Sequence, residues 1–209
     1  LRMDILAPDR LDRSVKQHPD RDGSYIMLTT PERSRTGTFL SALIPSAPEN
    51  QAERESWKAL RIGGEGWMGA EILKDGWNGR VLFRESSREI MLPAGRWETD
   101  GDQAAITENA EGKTRMVWSR NATVLRESGA PGAAVFRADR KLSFLYGVSG
   151  GSVSLETDSE QKSAIAVKLE KKPADVILDG TPVKFSYDRN SGMVNLILPG
   201  GRHMLSVKR

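Results

Sequence analysis

The stretch that decides the fold runs from Ile165 to Val207 and reads IAVKLEKKPADVILDGTPVKFSYDRNSGMVNLILPGGRHMLSV. Apolar and polar residues alternate along it, and a period of two is typical of a half-buried strand. Turn residues separate the runs at Asp179-Gly180, Asp188 to Gly192 and Pro199 to Gly201. The pattern predicts an antiparallel meander with one apolar face. Its apolar runs are Ile165-Val167-Leu169, Val176-Leu178, Val183-Phe185-Tyr187, Val194-Leu196-Leu198 and Met204 to Val207.

The rest of the chain also consists of short predicted strands separated by turn residues. Turn signals recur about every eight to twelve residues, as in β-sandwiches and barrels, and no amphipathic helix of about ten residues is apparent. The sequence therefore predicts an all-β, antiparallel, two-layer β-sandwich that occupies 1–209 as a single domain. Four apolar residues of the meander, Leu178, Phe185, Leu196 and Leu205, are expected to be buried on one sheet face.

Composition excludes several classes of protein. The 209 residues include no cysteine, so a disulfide framework and thiolate chemistry are excluded. Basic and acidic residues, 31 and 28 in number, are interspersed and give a net charge of +3, whereas nucleic-acid binders concentrate positive charge. No apolar run has the length of a membrane span. We therefore expect no nucleic-acid partner and no membrane partner.

The start of the chain suggests a piece of a longer protein. Residue 1 is Leu1, and the alternating run that it opens reads as a strand ending at Ala7, before Pro8. No signal peptide is visible. We therefore expect a mature fragment or the C-terminal part of a longer polypeptide.

The motif Gly64-Glu65-Gly66-Trp67-Met68-Gly69 matches the G-x-G-x-x-G fingerprint of dinucleotide-binding proteins. That site needs a helix directly after the glycines, because the pyrophosphate lies at the helix N-terminus. Only about one turn of helix would fit before Asp75-Gly76, so we interpret the motif as a glycine-rich β connection. We expect no cofactor.

The titratable residues give no catalytic or metal constellation. His18 lies in a polar loop, and His203 lies in the final alternating run, where a structural role is expected. Two histidines without cysteine do not make a typical zinc site. We therefore predict neither catalytic nor metal-binding residues.

The five tryptophans divide into two groups. Trp57, Trp97 and Trp118 lie in or beside predicted strands and are expected in the core. Trp67 and Trp77 lie in glycine-rich turns, where an indole either folds back over the sheet edge or is exposed to stack on sugar rings.

Four stretches together resemble the C-terminal β region of the heparinase II/III-like polysaccharide lyases. The first two resemble strands that end at a proline, the third a hairpin, and the fourth the closing meander of those enzymes. They are Leu1 to Pro8, Gly23 to Leu28 with Thr38 to Pro45, Gly69 to Ile72 with Arg80 to Phe83, and Ala174 to Phe185 with Leu198 to His203.

The resemblance carries expectations about function. In that family an α/α toroid precedes an antiparallel sandwich and supplies much of the lyase site, which uses Tyr and His. No residue here matches those catalytic motifs. The resemblance therefore implies a non-catalytic or site-completing β domain, periplasmic or secreted, whose partner is an acidic polysaccharide or a preceding α/α toroid domain.

Under this resemblance, three residues are the predicted ligand contacts. Trp67 and Trp77 would stack on sugar rings, and Arg80 would pair with a carboxylate. Two other readings stay open, namely a stand-alone carbohydrate-binding module and a structural or interaction domain with no sugar ligand.

Overall fold

The computed structural model describes residues 2–8, 12–17, 24–29, 40–44, 56–129, 134–149 and 152–208. Every element bounded within these ranges is a strand. The chain divides into two compact units, Leu1–Arg61 and Ile62–Arg209, and β5 contains the boundary between them. The strands are β1 (Arg2–Ala7), β2 (Asp12–Gln17), β3 (Ser24–Thr29), β4 (Leu40–Ile44), β5 (Lys58–Gly64), β6 (Trp67–Lys74), β7 (Trp77–Arg84), β8 (Leu92–Ala94), β9 (Trp97–Thr99), β10 (Gln103–Asn109), β11 (Thr114–Glu127), β12 (Ala134–Ser149), β13 (Ser152–Ser159), β14 (Ser163–Lys168), β15 (Asp175–Leu178), β16 (Thr181–Pro182), β17 (Ser186–Asp188), β18 (Met193–Leu198) and β19 (Gly201–Lys208).

The first unit contains two antiparallel pairs. β1 pairs with β4, so the strand predicted at the start of the chain is confirmed and ends at Ala7. β2 pairs with β3. β2 lies in the stretch expected to be a polar loop around His18, so that expectation was wrong there, while His18 itself lies outside the described residues.

The second unit is a two-layer antiparallel sandwich, which confirms the predicted fold class. The first layer has the strand order β16-β15-β19-β13-β12-β11-β10-β7-β6. The second layer has the order β8-β9-β11-β12-β14-β18-β17. β11 and β12, with 14 and 16 residues, appear in both layers because each is long enough to cross from one to the other.

Both crossing strands change direction at an irregular segment. The β11–β12 register shifts on either side of Ala122, and Asn121 takes the left-handed backbone conformation with φ 53°. The carboxylate of Asp100 accepts the backbone N–H groups of Thr123 and Val124 over 2.8 and 2.9 Å, and also the Thr123 hydroxyl. Thr123 lacks a cross-strand partner in β12, and these bonds give its N–H and that of Val124 an acceptor, so Asp100 stabilises the bend.

The core lies between the layers and joins the two halves of each long strand. Phe136 from the first half of β12 and Phe144 from its second half are both fully buried, with ring centroids 4.5 Å apart. Trp97 of β9 packs edge-on against Tyr146 of β12 at 6.1 Å. Residues from the two layers therefore interdigitate, as in other β-sandwiches.

The meander prediction was wrong in its connectivity. Leu196 lies in β18 of the second layer, which pairs with β14 and β17, whereas Leu205 lies in β19 of the first layer. The break at Pro199-Gly200 carries the chain between layers instead of closing a hairpin. Leu196 and Leu205 are buried, and Leu178 and Phe185 are partly buried against the same core. The four residues therefore reach one core from two layers, and the prediction that they share one sheet face was wrong.

The turn chemistry at Asp179-Gly180 is confirmed. Both residues have positive φ, 50° and 80°, and they join β15 to β16 as a two-residue hairpin. The primed turns need this conformation, which glycine and aspartate tolerate better than β-branched residues.

Candidate functional site

The two tryptophans predicted to contact sugar lie at opposite ends of the β6–β7 hairpin. Trp67 is the cross-strand partner of Arg84, and Trp77 is the partner of Lys74. Trp67 and Lys74 are seven positions apart along β6, which corresponds to about 23 Å of strand. Because partners share a face and successive residues alternate, Trp67 and Trp77 also lie on opposite faces. They do not form one contact surface.

Each of these indoles covers a glycine. A Cβ atom on Gly64 would lie 2.5 Å from the indole Nε1 of Trp67, whose side chain also packs against the core. The Trp77 indole lies in the same way over Gly79. The indoles therefore fill space that a glycine leaves open in a sheet. Contact of either tryptophan with a ligand stays a prediction.

The G-x-G-x-x-G motif continues into a strand. Gly66 occupies the turn with φ 76°, and β6 begins at Trp67. The helix that would face a pyrophosphate is thus replaced by a strand, in agreement with the interpretation as a glycine-rich β connection.

Arg80 lies between two carboxylates. Its Nε donates to Glu71 Oε1 over 2.8 Å, and its Nη1 lies 3.7 Å from Glu108 Oε2. The Arg80 guanidinium, with help from the Asn78 amide, holds the pKa of the Glu71 carboxyl below its usual value. One cation beside two anions leaves the cluster net negative, and this charge opposes the binding of another carboxylate.

His203 links two turns. Its Nδ1 lies 2.6 Å from Asp179 Oδ2 and its Nε2 lies 3.3 Å from the carbonyl of Gly200. The hydrogen bond with Asp179 raises the pKa of the imidazole, because both ring nitrogens face acceptors that favour the protonated form. His203 holds the β15–β16 turn against the end of β18, in agreement with the structural role predicted for it.

A different tryptophan lies in a surface depression of the first layer. Trp118 is the cross-strand partner of Ala105 and Leu145 and is half-buried. Its neighbours Val117 and Ser119 are fully buried, so Trp118 points away from the core. The expectation that it belongs to the core was wrong, while Trp97 is a core residue as predicted. The depression has a volume of about 420 Å³.

Charged side chains surround Trp118. The depression is also lined by Arg120, Arg202, Glu156 and Asp158. Arg202 pairs with Glu156, but the pair is exposed and a guanidinium has five donors, so donors stay available. No carboxylate among the described residues lies within ion-pair distance of Arg120. An aromatic plane and an uncompensated guanidinium thus adjoin on one face.

A second depression of about 540 Å³ adjoins the first. The two share Arg120, Ser143 and Asp158 as lining residues. The second extends over the bends of β11 and β12 to Arg140 and Gln161. We call these two depressions together the outer groove. Its second depression is the more polar of the two, and Trp118 lies in the first.

Sequence reasoning missed Trp118 because both faces of its strand carry large apolar residues. Met116 and Trp118 share one face, and Val117 with Leu125 occupies the other. Period two alone cannot decide which set is buried. Ser119, next to Trp118, is polar and would suggest an exposed position. It is nevertheless buried, and its hydroxyl forms a hydrogen bond with the Thr99 hydroxyl.

Comparisons with known proteins add no family. No protein-family model matches the chain, and no curated protein matches it. Among the described residues, no group of three or more His, Asp or Glu side chains is arranged to hold a metal ion. The same residues contain no helix with the length and hydropathy needed to cross a membrane.

Proposed function

We propose that this chain is a non-catalytic, carbohydrate-binding β domain of an enzyme resembling the polysaccharide lyases, and that it binds acidic polysaccharide in the outer groove. The observation that carries the proposal is the pairing of Trp118 with Arg120 in an open depression of a sheet face. Pyranose rings have apolar faces that match an indole plane, and a guanidinium binds carboxylate or sulfate oxygens through parallel hydrogen bonds.

The shape of the groove supports a polymeric ligand. An enclosed pocket accepts a chain end or a small molecule, whereas two adjoining surface depressions can contact successive units of a chain. Trp118 would fix one sugar ring, and Arg120 would bind the acidic substituent of the same or the next unit. Arg202 would add a contact that competes with its exposed pair to Glu156.

A non-catalytic role agrees with the side chains of the groove. Lyase chemistry needs a base, an acid and a charge clamp at one position on the substrate. The described lining contains neither histidine nor tyrosine. The groove offers binding groups, so catalysis would come from a separate domain such as the toroid that the resemblance implies.

A second candidate function is docking of that separate domain on the same sheet face. Two apolar side chains favour it, since Met116 and Met204 are 44% and 47% exposed and lie on the face of Trp118. Such a face would be covered in a complete enzyme. Binding of free oligosaccharide by the isolated chain separates the two candidates.

The test is calorimetric titration of the chain with acidic hexasaccharides prepared from heparan sulfate, chondroitin and alginate. We expect Trp118→Ala to weaken binding about tenfold, because aromatic contacts contribute about 0.5–1.5 kcal/mol beyond area burial. Trp77→Ala is the matched control and should bind like the wild type. Loss of binding in Trp77→Ala with none in Trp118→Ala would contradict the proposal, as would a wild-type chain that binds none of the three sugars.

A further inference from the structure

The outer face of the second layer carries a larger depression of about 710 Å³. It lies over β14 and β18, beside the segment 184–186. Small residues of β14, Ala164 and Ala166, contribute to its lining, and Ile197 borders it with 58% of its surface exposed. The Lys184 and Arg137 side chains also line it and are exposed.

This depression adjoins the outer groove through a smaller one. A smaller depression of about 350 Å³ shares Arg140 and Gln161 with the outer groove. The same small depression shares Asp139, Ala164 and Ile197 with the larger one. These adjoining depressions form a path over the surface from Trp118 on the first layer to Lys184 on the second, and we call this path the channel.

The bend of the long strands is the reason for this continuity. β12 crosses between layers, so its outward-facing side chains lie on the outer face of both. From Leu145 beside Trp118 to Arg137 is eight residues, or about 26 Å of strand before the bend is counted. A ligand that follows this path must be an extended chain of several units.

The second-layer part of the channel is the more basic part. Arg137, Lys162 and Lys184 line it, and no carboxylate among the described residues lies within ion-pair distance of any of them. Asp139 is the acidic residue of this lining, and it is already engaged. Its Oδ1 accepts the Ser163 hydroxyl over 2.8 Å and the Ala164 N–H over 3.0 Å, and Arg140 Nε lies 3.5 Å away.

We infer that this second-layer depression is a charge-reading subsite, and that it extends the outer groove so that the domain selects long acidic polysaccharide segments over short or neutral ones. The inference rests on the proposed function. The two parts of the channel bind different groups of the ligand. Trp118 stacks on a sugar ring, and the second-layer cations bind anionic substituents further along the same polysaccharide chain. Uncompensated cations attract such a polyanion, and salt screens the attraction.

The test uses the double variant Arg137→Glu/Lys184→Glu, titrated calorimetrically with acidic disaccharides and dodecasaccharides of the most tightly bound polymer. We expect the wild type to bind the dodecasaccharide at least tenfold more tightly than the disaccharide at 50 mM salt. The double variant should lose this advantage and keep its affinity for the disaccharide. The control Lys171→Glu/Lys172→Glu changes the net charge equally at exposed positions outside the channel and should keep the advantage.

The outcomes separate the inference from the proposed function. Unchanged dodecasaccharide binding in the double variant, with weakened binding in Trp118→Ala, overturns the second-layer subsite alone. Binding that is equal in all variants, or absent in the wild type, overturns both. Equal affinity for single-stranded RNA of matched charge overturns the assignment to polysaccharide. The milder variant Arg137→Gln/Lys184→Gln and a thermal melt exclude misfolding as the cause of a loss.

Discussion

Phe136→Ala is expected to lower the free energy of unfolding by about 3–5 kcal/mol, the range for removing a fully enclosed aromatic ring. Phe136 is fully buried and lies against Phe144. The two rings come from the two halves of one strand, so the cavity would open where the layers are joined. The surrounding strands are tied in both layers and cannot collapse into the space.

Urea denaturation followed by tryptophan fluorescence measures this effect. Val148→Ala is the matched control, because Val148 lies in the same strand β12 and is 43% exposed. Its loss should stay below about 1 kcal/mol, the span of strand propensity at exposed positions. A loss below about 1 kcal/mol in Phe136→Ala would show that the two halves of β12 do not enclose a common core.

The second large effect is expected at Asp100, where Asp100→Ala should cost about 2–4 kcal/mol. Its carboxylate accepts hydrogen bonds from the backbone of Thr123 and Val124 and from the Thr123 hydroxyl. Removing the acceptor leaves three donors at the bend of β11 without this partner, and their partial burial makes the loss costly.

The matched control is Asp102→Ala, two residues along the same turn. Asp102 is 44% exposed on its side chain, lies 3.7 Å from Arg84 and accepts one bond from Asn121. Arg84 is largely buried, but the separation from Asp102 is long and its guanidinium also donates to the carbonyls of Asp100 and Gly101, so we expect a loss of at most about 1 kcal/mol. Equal losses in the two variants, measured by the same denaturation, would mean that Asp100 is an ordinary surface carboxylate and does not hold the bend.

The fold class could be predicted because local chemistry decides it. Alternation in Val194 to Leu198 and the Asp179-Gly180 turn are properties of adjacent residues, and both appear in the structure as expected. Strand pairing is different. β18 follows the same alternation as β19, but the choice between a hairpin and a crossing at Pro199-Gly200 depends on which core the apolar face meets.

The long strands could not be predicted for a related reason. The local sequence does not predict a bend at Asn121-Ala122 or at Asp139-Arg140, because neither pair contains the glycine or proline that usually marks a break. The bends are held by partners distant in sequence, Asp100 for β11 and the Asp139–Ser163 bond for β12. These contacts exist only once both layers have formed.

Residue type alone does not locate the candidate site, because the local charge depends on cross-strand partners. Arg80 suggested a carboxylate clamp, but Glu71 and Glu108 reach it from two other strands and reverse the local charge. The sequence around Arg120 has no special composition. Arg120 becomes a candidate for binding only because the sheet places it next to Trp118 on the outward face, where both line one depression. In both cases the cross-strand neighbours of the arginine determine whether it is available to bind a ligand.

The architecture and the proposed binding surface share one cause. Because β11 and β12 bend from one layer into the other, their outward-facing residues form a path around the side of the sandwich. Stability at the bends and ligand binding along the path should therefore be separable. Asp100 lies outside the lining of both depressions of the outer groove, whereas Trp118 lies in the groove and outside the core.

The most direct test of the central claim is a nuclear magnetic resonance titration of the ¹⁵N-labelled chain with an acidic hexasaccharide. We predict concentration-dependent shifts of the Trp118 indole N–H and of the Arg120 and Asp158 amides. The amides of Glu71 and Arg80 should not move. Saturating ligand that leaves Trp118 unchanged, or that shifts the Glu71–Arg80 cluster instead, would contradict the account.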